Sequence, residues 1–265
     1  MNRLDQFFAK KQKAFIPYLT AGYPSIDETV GLMHLLVDNG SDILELGFPF
    51  SDPTADGPTI QDASQVALDN GFRRTDYFDI VKKFRESDTE TPIVCFTYYN
   101  PIFKMGCDEF AKTVAELGVD ALLVVDLPFE EQDELLPSLE ANGLYLIELI
   151  APTTPLDRKA EIVKNGKGFI YQISLKGVTG ARAEIAENAA EQAQETKSLT
   201  DLPVCMGFGV STKEQAAKVA AASDGVVVGS AIIKAIAYTD GQRMSEKELD
   251  DLASFVKELA DATHG

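Results

Sequence analysis

Short apolar, β-branched runs alternate with amphipathic stretches from one end of the chain to the other. The runs are AFIPYLT (14–20), DILELG (42–47), PIVCFTY (92–98), ALLVVD (121–126), LYLIEL (144–149), GFIYQIS (168–174), PVCMGF (203–208) and GVVVG (225–229). Runs apolar on both faces and separated by helical segments belong to parallel strands covered on either side. The helical segments carry their own start signals. Ser25 with Glu28, Ser211 with Glu214, and Ser245 with Glu248 form capping-box patterns, and Pro58 suits a first helical position. About eight such units predict an α/β fold, a (β/α)8 TIM barrel occupying residues 1–265 as one domain, with an extra N-terminal helix over about residues 3–12. An open doubly wound sheet would usually announce itself by a GxGxxG turn after the first strand, where this chain reads LTAGYPS. The acidic, Ala-rich stretch 183–195 is expected as an exposed helix.

Length agrees with that architecture, since the chain has 265 residues and one such barrel needs about 250. The 42 acidic against 24 basic residues give a formal charge of −18. Such a surface repels nucleic-acid phosphates and anionic lipid. No apolar run approaches the ~20 residues that span a bilayer, and MNRLDQFFAKKQ lacks a signal-peptide core. A soluble, cytoplasmic chain is expected. The two histidines restrict the chemistry further. His34 falls in a helical pattern and His264 is penultimate, where fraying is expected, so a histidine triad or a multi-histidine metal site has no residues to draw on. Cys95, Cys107 and Cys205 lie far apart without a CxxC; Cys95 and Cys205 read as small apolar strand residues.

Active sites of such barrels form at the C-terminal ends of the strands. Alternation in the second run puts Ile43, Glu45 and Gly47 on one face, with Leu44 and Leu46 on the other. If the first face points inward, Glu45 is a dehydrated carboxyl with a raised pKa, suited to acid/base work; if outward, it is a packed or paired glutamate. Asp56 precedes Gly57-Pro58 and fits either a turn and helix cap or a functional carboxylate, and Asp52 before Pro53 reads as turn chemistry. The seventh run ends in GFGVS, the eighth ends in Gly229-Ser230, and Gly180 lies in the GVTGA loop after the sixth. Glycine-rich turns after late strands, leading into helices, are where barrels hold phosphate. These residues describe a barrel acting on a phosphorylated small molecule with carboxylates as proton carriers, and name no substrate.

The blocks LELGFPFSDPTADGPTIQ (44–61), FIPYLTAGYP (15–24), YNP (99–101), VVDLP (124–128), GVTGA (177–181), GFGVS (207–211) and VVGSAI (227–232), in this order, resemble the tryptophan synthase α subunit family. The resemblance covers residues 2 to 260. It implies retro-aldol cleavage of indole-3-glycerol phosphate to indole and glyceraldehyde 3-phosphate. By motif, Glu45 is the general acid/base, Asp56 binds the indole N–H, and Tyr171 stands near Glu45. Thr179 hydrogen-bonds Asp56 on loop closure, Gly180, Gly209, Gly229 and Ser230 hold the phosphate, and Tyr18 and Phe208 line the indole pocket. The chain departs from the family at Leu175, where arginine is frequent, and at Tyr18, where phenylalanine is. The resemblance also implies a pyridoxal-phosphate β subunit in an αββα assembly, contacted through Asp52, Pro53, Asn100, Asp126 and Pro128, and no cofactor in this chain. A stand-alone lyase and a non-catalytic phosphate-binding regulator are the alternatives.

Overall fold

The computed structural model describes residues 1–10, 12–173, 191–207, 209–236 and 243–265. Nine strand segments occur among them: β1 (Ala14–Thr20), β2 (Leu44–Gly47), β3 (Ile93–Thr97), β4 (Ala121–Val124), β5 (Tyr145–Leu146), β6 (Glu148–Ile150), β7 (Ile170–Ile173), β8 (Val204–Gly207) and β9 (Gly225–Val228). All pairings are parallel, in the order β5-β4-β3-β2-β1-β9-β8-β7-β6. The two ends of that order come from one run of sequence. Its first part pairs with β4 and its second with β7, so the barrel closes through residues 145–150. The chain therefore forms the expected eight-stranded barrel with its fifth strand changing partners at Ile147.

The helices are α1 (Arg3–Phe8), α2 (Ile26–Asp38), α3 (Pro58–Asp69), α4 (Arg74–Arg85), α5 (Tyr99–Met105), α6 (Cys107–Glu116), α7 (Leu136–Ala141), α8 (Leu156–Asn165), α9 (described over 191–197), α10 (Lys213–Ala222), α11 (Ser230–Ala235) and α12 (Glu246–His264). A 3-10 turn covers Phe129–Glu134. Three sequence signals act as expected. Ser25 caps α2 and Ser245 and Glu248 close a capping box on α12, and Pro58 opens α3. Two are corrected. The cap of α10 is Thr212, whose side chain accepts from the Gln215 amide. Thr212 and Gln215 repeat the Ser211/Glu214 pattern one residue on, and Ser211 instead donates its N–H to the Gln215 side chain at 2.8 Å. The N-terminal helix stops at Phe8 rather than near 12. His264 does not fray: it ends α12 with its ring 2.7 Å from Asp42 Oδ2.

Alternation sorts each strand into two packing layers. Ala14, Ile16, Ile43, Val94, Ala121, Leu123, Ile147, Phe169, Cys205 and Val227 form the inner cluster, while Phe15, Leu19, Leu44, Leu46, Ile93, Cys95 and Leu122 pack outward against the helices. Both strand cysteines are fully buried, as apolar residues would be. Helix α1 plugs the N-terminal end, contributing Leu4 and Phe7 to the inner cluster. It is held there by Asn2, which donates to the Asp120 carbonyl at 2.8 Å, and by Arg3, 2.9 Å from the Asp120 carboxylate. Arg85 reaches the other Asp120 oxygen at 3.2 Å, and the Ile93 amide donates to it at 2.8 Å. Among the described residues no helix is long and apolar enough to cross a membrane.

Leu4 is fully buried in this plug. Leu4→Ala should cost about 2–5 kcal/mol of unfolding free energy, read as a lower urea midpoint at unchanged slope. A midpoint shift worth less than about 0.5 kcal/mol, the scale of a surface substitution, would show that α1 does not seal the barrel.

Candidate active site

At the opposite end, the C-terminal mouth, the inner face turns polar. Glu45 follows Ile43 on the inner face of β2 and is 1 % exposed; its Oε1 has no hydrogen-bond partner. Burial, aided by the charge of Asp56, pushes its pKa up to about 8. Asp56 sits in the loop between β2 and α3, in a turn closed by its own N–H donating to the Pro53 carbonyl at 3.1 Å. Gln61 on α3 braces that turn, donating to the Asp56 and Pro53 carbonyls at 2.9 and 3.2 Å. The Asp56 side chain accepts from the Tyr98 hydroxyl at 2.8 Å, and Tyr98 in turn accepts from the Ala55 amide at 3.0 Å. Burial raises Asp56 to about 6, and the Tyr98 hydrogen bond limits that rise.

Two tyrosines complete the mouth. Tyr18 on β1 is buried; its hydroxyl accepts from Thr20 at 3.2 Å and its ring meets Phe96 edge-on at 5.1 Å. Tyr171 stands on β7 beside β8. Each phenol occupies space vacated by a glycine on the next strand. A methyl on Gly47 would collide with the Tyr18 hydroxyl, and one on Gly207 with that of Tyr171. Burial raises both phenol pKa values, and Glu45 and Asp56 add to the rise in each, which places all four groups in one electrostatic neighbourhood. Gly229 is close to Tyr18 and to Ile60 of α3, and it immediately precedes Ser230, the first residue of α11. The first N–H groups of a helix have no acceptor within it, and this turn lies beside Tyr18 at the same mouth. Gly209, just beyond β8, has a positive φ of 27°.

The structure thus brings together Glu45, Asp56, Tyr18, Tyr171, Gly229 and Ser230. Thr179, Gly180, Leu175 and Phe208 lie outside the described residues. Asp52, Asn100, Asp126 and Pro128 are exposed and Pro53 half-exposed, on the loops after β2 and β4 and in the first turn of α5 after β3, at the same end of the barrel. The Tyr99 amide ties α5 to the loop after β4 by donating to Asp126 at 2.7 Å. Sequence reasoning missed Tyr98. It ends the PIVCFTY run in phase with Val94 and Phe96, so alternation carries the signal.

A (β/α)8 barrel with two carboxyls of raised pKa and the N-terminus of a short helix at its C-terminal mouth is an acid/base enzyme with an anion-binding turn. The family model described as tryptophan synthase alpha chain matches residues 4–264. The chain is 47% identical over 99% of both chains to the tryptophan synthase alpha chain of Neisseria meningitidis, and 46% identical to that of Methanosarcina acetivorans over 96% of this chain and 91% of that one. Among solved structures it resembles tryptophan synthase subunit alpha of Legionella pneumophila, with TM-score 0.89, 39% identity and coverage of 99% and 98%. It also resembles tryptophan synthase of M. tuberculosis, with TM-score 0.86, 35–37% identity and coverage of 99% of this chain and 97–100% of those chains. The chain belongs to the tryptophan synthase alpha chain family, and is a lyase that cleaves indole-3-glycerol phosphate to indole and glyceraldehyde 3-phosphate.

A hydrogen bond to a carboxylate favours its ionised form. Tyr98→Phe should therefore raise the Asp56 pKa above about 6, observed by carbon-detected NMR titration. An unchanged or lowered value would show that Tyr98 does not hold the carboxylate.

Proposed function

We propose that Glu45 and Asp56 divide the cleavage between them. Glu45, protonated at neutral pH by its burial, delivers its proton to indole C3. As a carboxylate it then takes the proton from the side-chain hydroxyl next to the breaking carbon–carbon bond. The electron pair of that bond returns to the ring, the hydroxyl carbon leaves as the aldehyde, and Glu45 is again protonated. Asp56, ionised above about 6, accepts from the indole N–H and stabilises the positive charge that C3 protonation places on the ring. Tyr98 holds Asp56 in position. The observation that carries this reading is the contrast between two carboxyls at one mouth, Glu45 buried with Oε1 unpartnered and Asp56 accepting the Tyr98 hydroxyl, environments matched to opposite tasks.

Tyr18 shapes the aromatic pocket, and Tyr171 shares the electrostatic neighbourhood of Glu45. Gly209, Gly229 and Ser230 take the phosphate through backbone N–H groups and one hydroxyl. In a chain of charge −18, amide donors bind an anion without a cluster of arginines.

The chain is further proposed to pass indole to a β subunit through the face formed by Asp52, Pro53, Asn100, Asp126 and Pro128, in an αββα assembly in the cytoplasm. The support is the family relationship and the placement of these residues around the mouth. Pyridoxal phosphate belongs to that partner, and this chain's part needs only proton transfers.

The kcat/KM for indole release, measured with the cognate β subunit present, should be bell-shaped, rising as Asp56 ionises near pH 6 and falling as Glu45 ionises near 8. Glu45→Gln should lose at least about 10²-fold. Asp56→Asn should lose about 10–10³-fold and move the alkaline limb to lower pH, because the Asp56 charge helps raise Glu45. No release by folded wild type would contradict the lyase reading, and full activity in Glu45→Gln would contradict the assignment of Glu45.

A further inference from the structure

Among the described residues, the carboxyl groups withdrawn from solvent are differently provided for. Asp120 is matched by Arg3 and Arg85 at 2.9 and 3.2 Å, and Glu45 and Asp56 belong to the mouth already described. Glu148 belongs to neither. It is 3 % exposed, and its one hydrogen bond is from the Gln132 amide at 3.1 Å. Gln132 is 4 % exposed, and its own carbonyl oxygen has no partner. No cation of the chain pairs with either side chain among the described residues.

Both residues line a cavity of about 310 Å³ in the wall of the barrel, bordered by side chains of both packing layers. Its origin is the partner change in the fifth strand. β4 pairs with β5 only as far as Leu122 with Leu146, and β6 pairs with β7 instead, so a seam opens between Val124 and Glu148. Alternation turns Ile147 and Leu149 inward and Glu148 outward, towards the layer where Ile150 packs against Ile162 of α8. The walls are mostly apolar, from Leu127, Phe129, Leu146 and Ile162 with Ile147 and Leu149 at the inner edge, and Thr154 adds a hydroxyl. The charged groups that share the lining are Asp126 on the loop after β4 and Arg158 on α8, whose guanidinium is engaged by Glu130 at 2.6 Å.

An apolar cavity with a few convergent polar groups is the ordinary form of a small-molecule site, and this volume is at the small end of the range. A buried carboxylate without a counter-charge is expensive, and the complement it lacks is a cation with N–H donors. We propose that the cavity between β4, β6, α8 and the 3-10 turn at Phe129–Glu134 is a second binding site, separate from the catalytic mouth, for a small apolar molecule carrying an ammonium group. The ammonium donates to the Glu148 carboxylate and to the free carbonyl of Gln132, and the apolar body rests on Leu146, Phe129 and Ile162. Burial holds Glu148 up at about 7, so the empty site keeps its proton below neutrality and binding a cation releases it.

The test is calorimetry and methyl NMR on the full chain with 3-methylbutylamine, against its uncharged counterpart 3-methylbutan-1-ol. The amine should bind at least tenfold more tightly than the alcohol, shift the methyl resonances of Leu146, Ile147 and Ile162, and fall to the alcohol's level in Glu148→Gln. Its affinity should rise roughly tenfold from pH 6 to pH 8, as the ionised fraction of Glu148 grows. Equal affinity for amine and alcohol, undiminished binding by folded Glu148→Gln, or shifts confined to the catalytic mouth would overturn the proposal. If Glu148→Gln does not fold, the wild-type comparison of amine with alcohol and the location of the shifts decide it. Indole release is not used as a readout, so this result stands apart from the reading of the catalytic site.

Discussion

A carboxyl group taken out of water without a partner is an unfavourable thing to build, and the catalytic mouth is arranged around one. The barrel wall dehydrates Glu45 and leaves Oε1 without a hydrogen bond, which carries its pKa from 4.5 to about 8. The stability consequence has a definite sign. Between those two values the unfolded chain has released a proton that the native state retains, so native stability falls as pH rises from 4.5 towards 8. The fold tolerates this at one inner position because the neighbouring inner positions are apolar and well packed. The same dehydration that costs stability supplies a neutral acid at physiological pH.

The neighbouring groups follow from that constraint. Gly47 and Gly207 lack the side chains that would otherwise occupy the mouth, and Tyr18 and Tyr171 stand in the space. Asp56 needs the opposite treatment, a carboxylate held charged beside a neutral acid, and the Tyr98 hydroxyl supplies the hydrogen bond that limits its rise. At the other end, polarity is handled by matching rather than by exposure. Asp120 receives Arg3, Arg85 and the Ile93 amide, and α1 fills the base with Leu4 and Phe7. The charge of Asp120 is thus matched at the base, while Glu45 at the mouth has no ion-pair partner among the described residues.

Much of this was legible in the residues. The apolar runs locate each strand within about two residues, because strands buried on both faces have little freedom in composition. Alternation alone puts Glu45 with Ile43 and Gly47. Other features depend on pairing, which one sequence does not display. Tyr98 meets Asp56 across 42 residues only through the register of β2 on β3. The fifth run looks like one strand until its two halves are seen to pair with different neighbours, and Glu148 reads as an interruption until the seam behind it is visible. Local signals misled by small margins: Thr212 rather than Ser211 caps α10, since both fit the same four-residue pattern.

The most direct measurement of the central claim is the titration of Glu45 itself in the folded chain, by carbon-detected NMR of the labelled carboxyl with Glu45→Gln to assign the signal. A carboxyl still protonated at pH 7 that titrates near 8 is the expected result. Ionisation near 4.5, the ordinary value, would contradict it, and the acid at the mouth would then have to be another group.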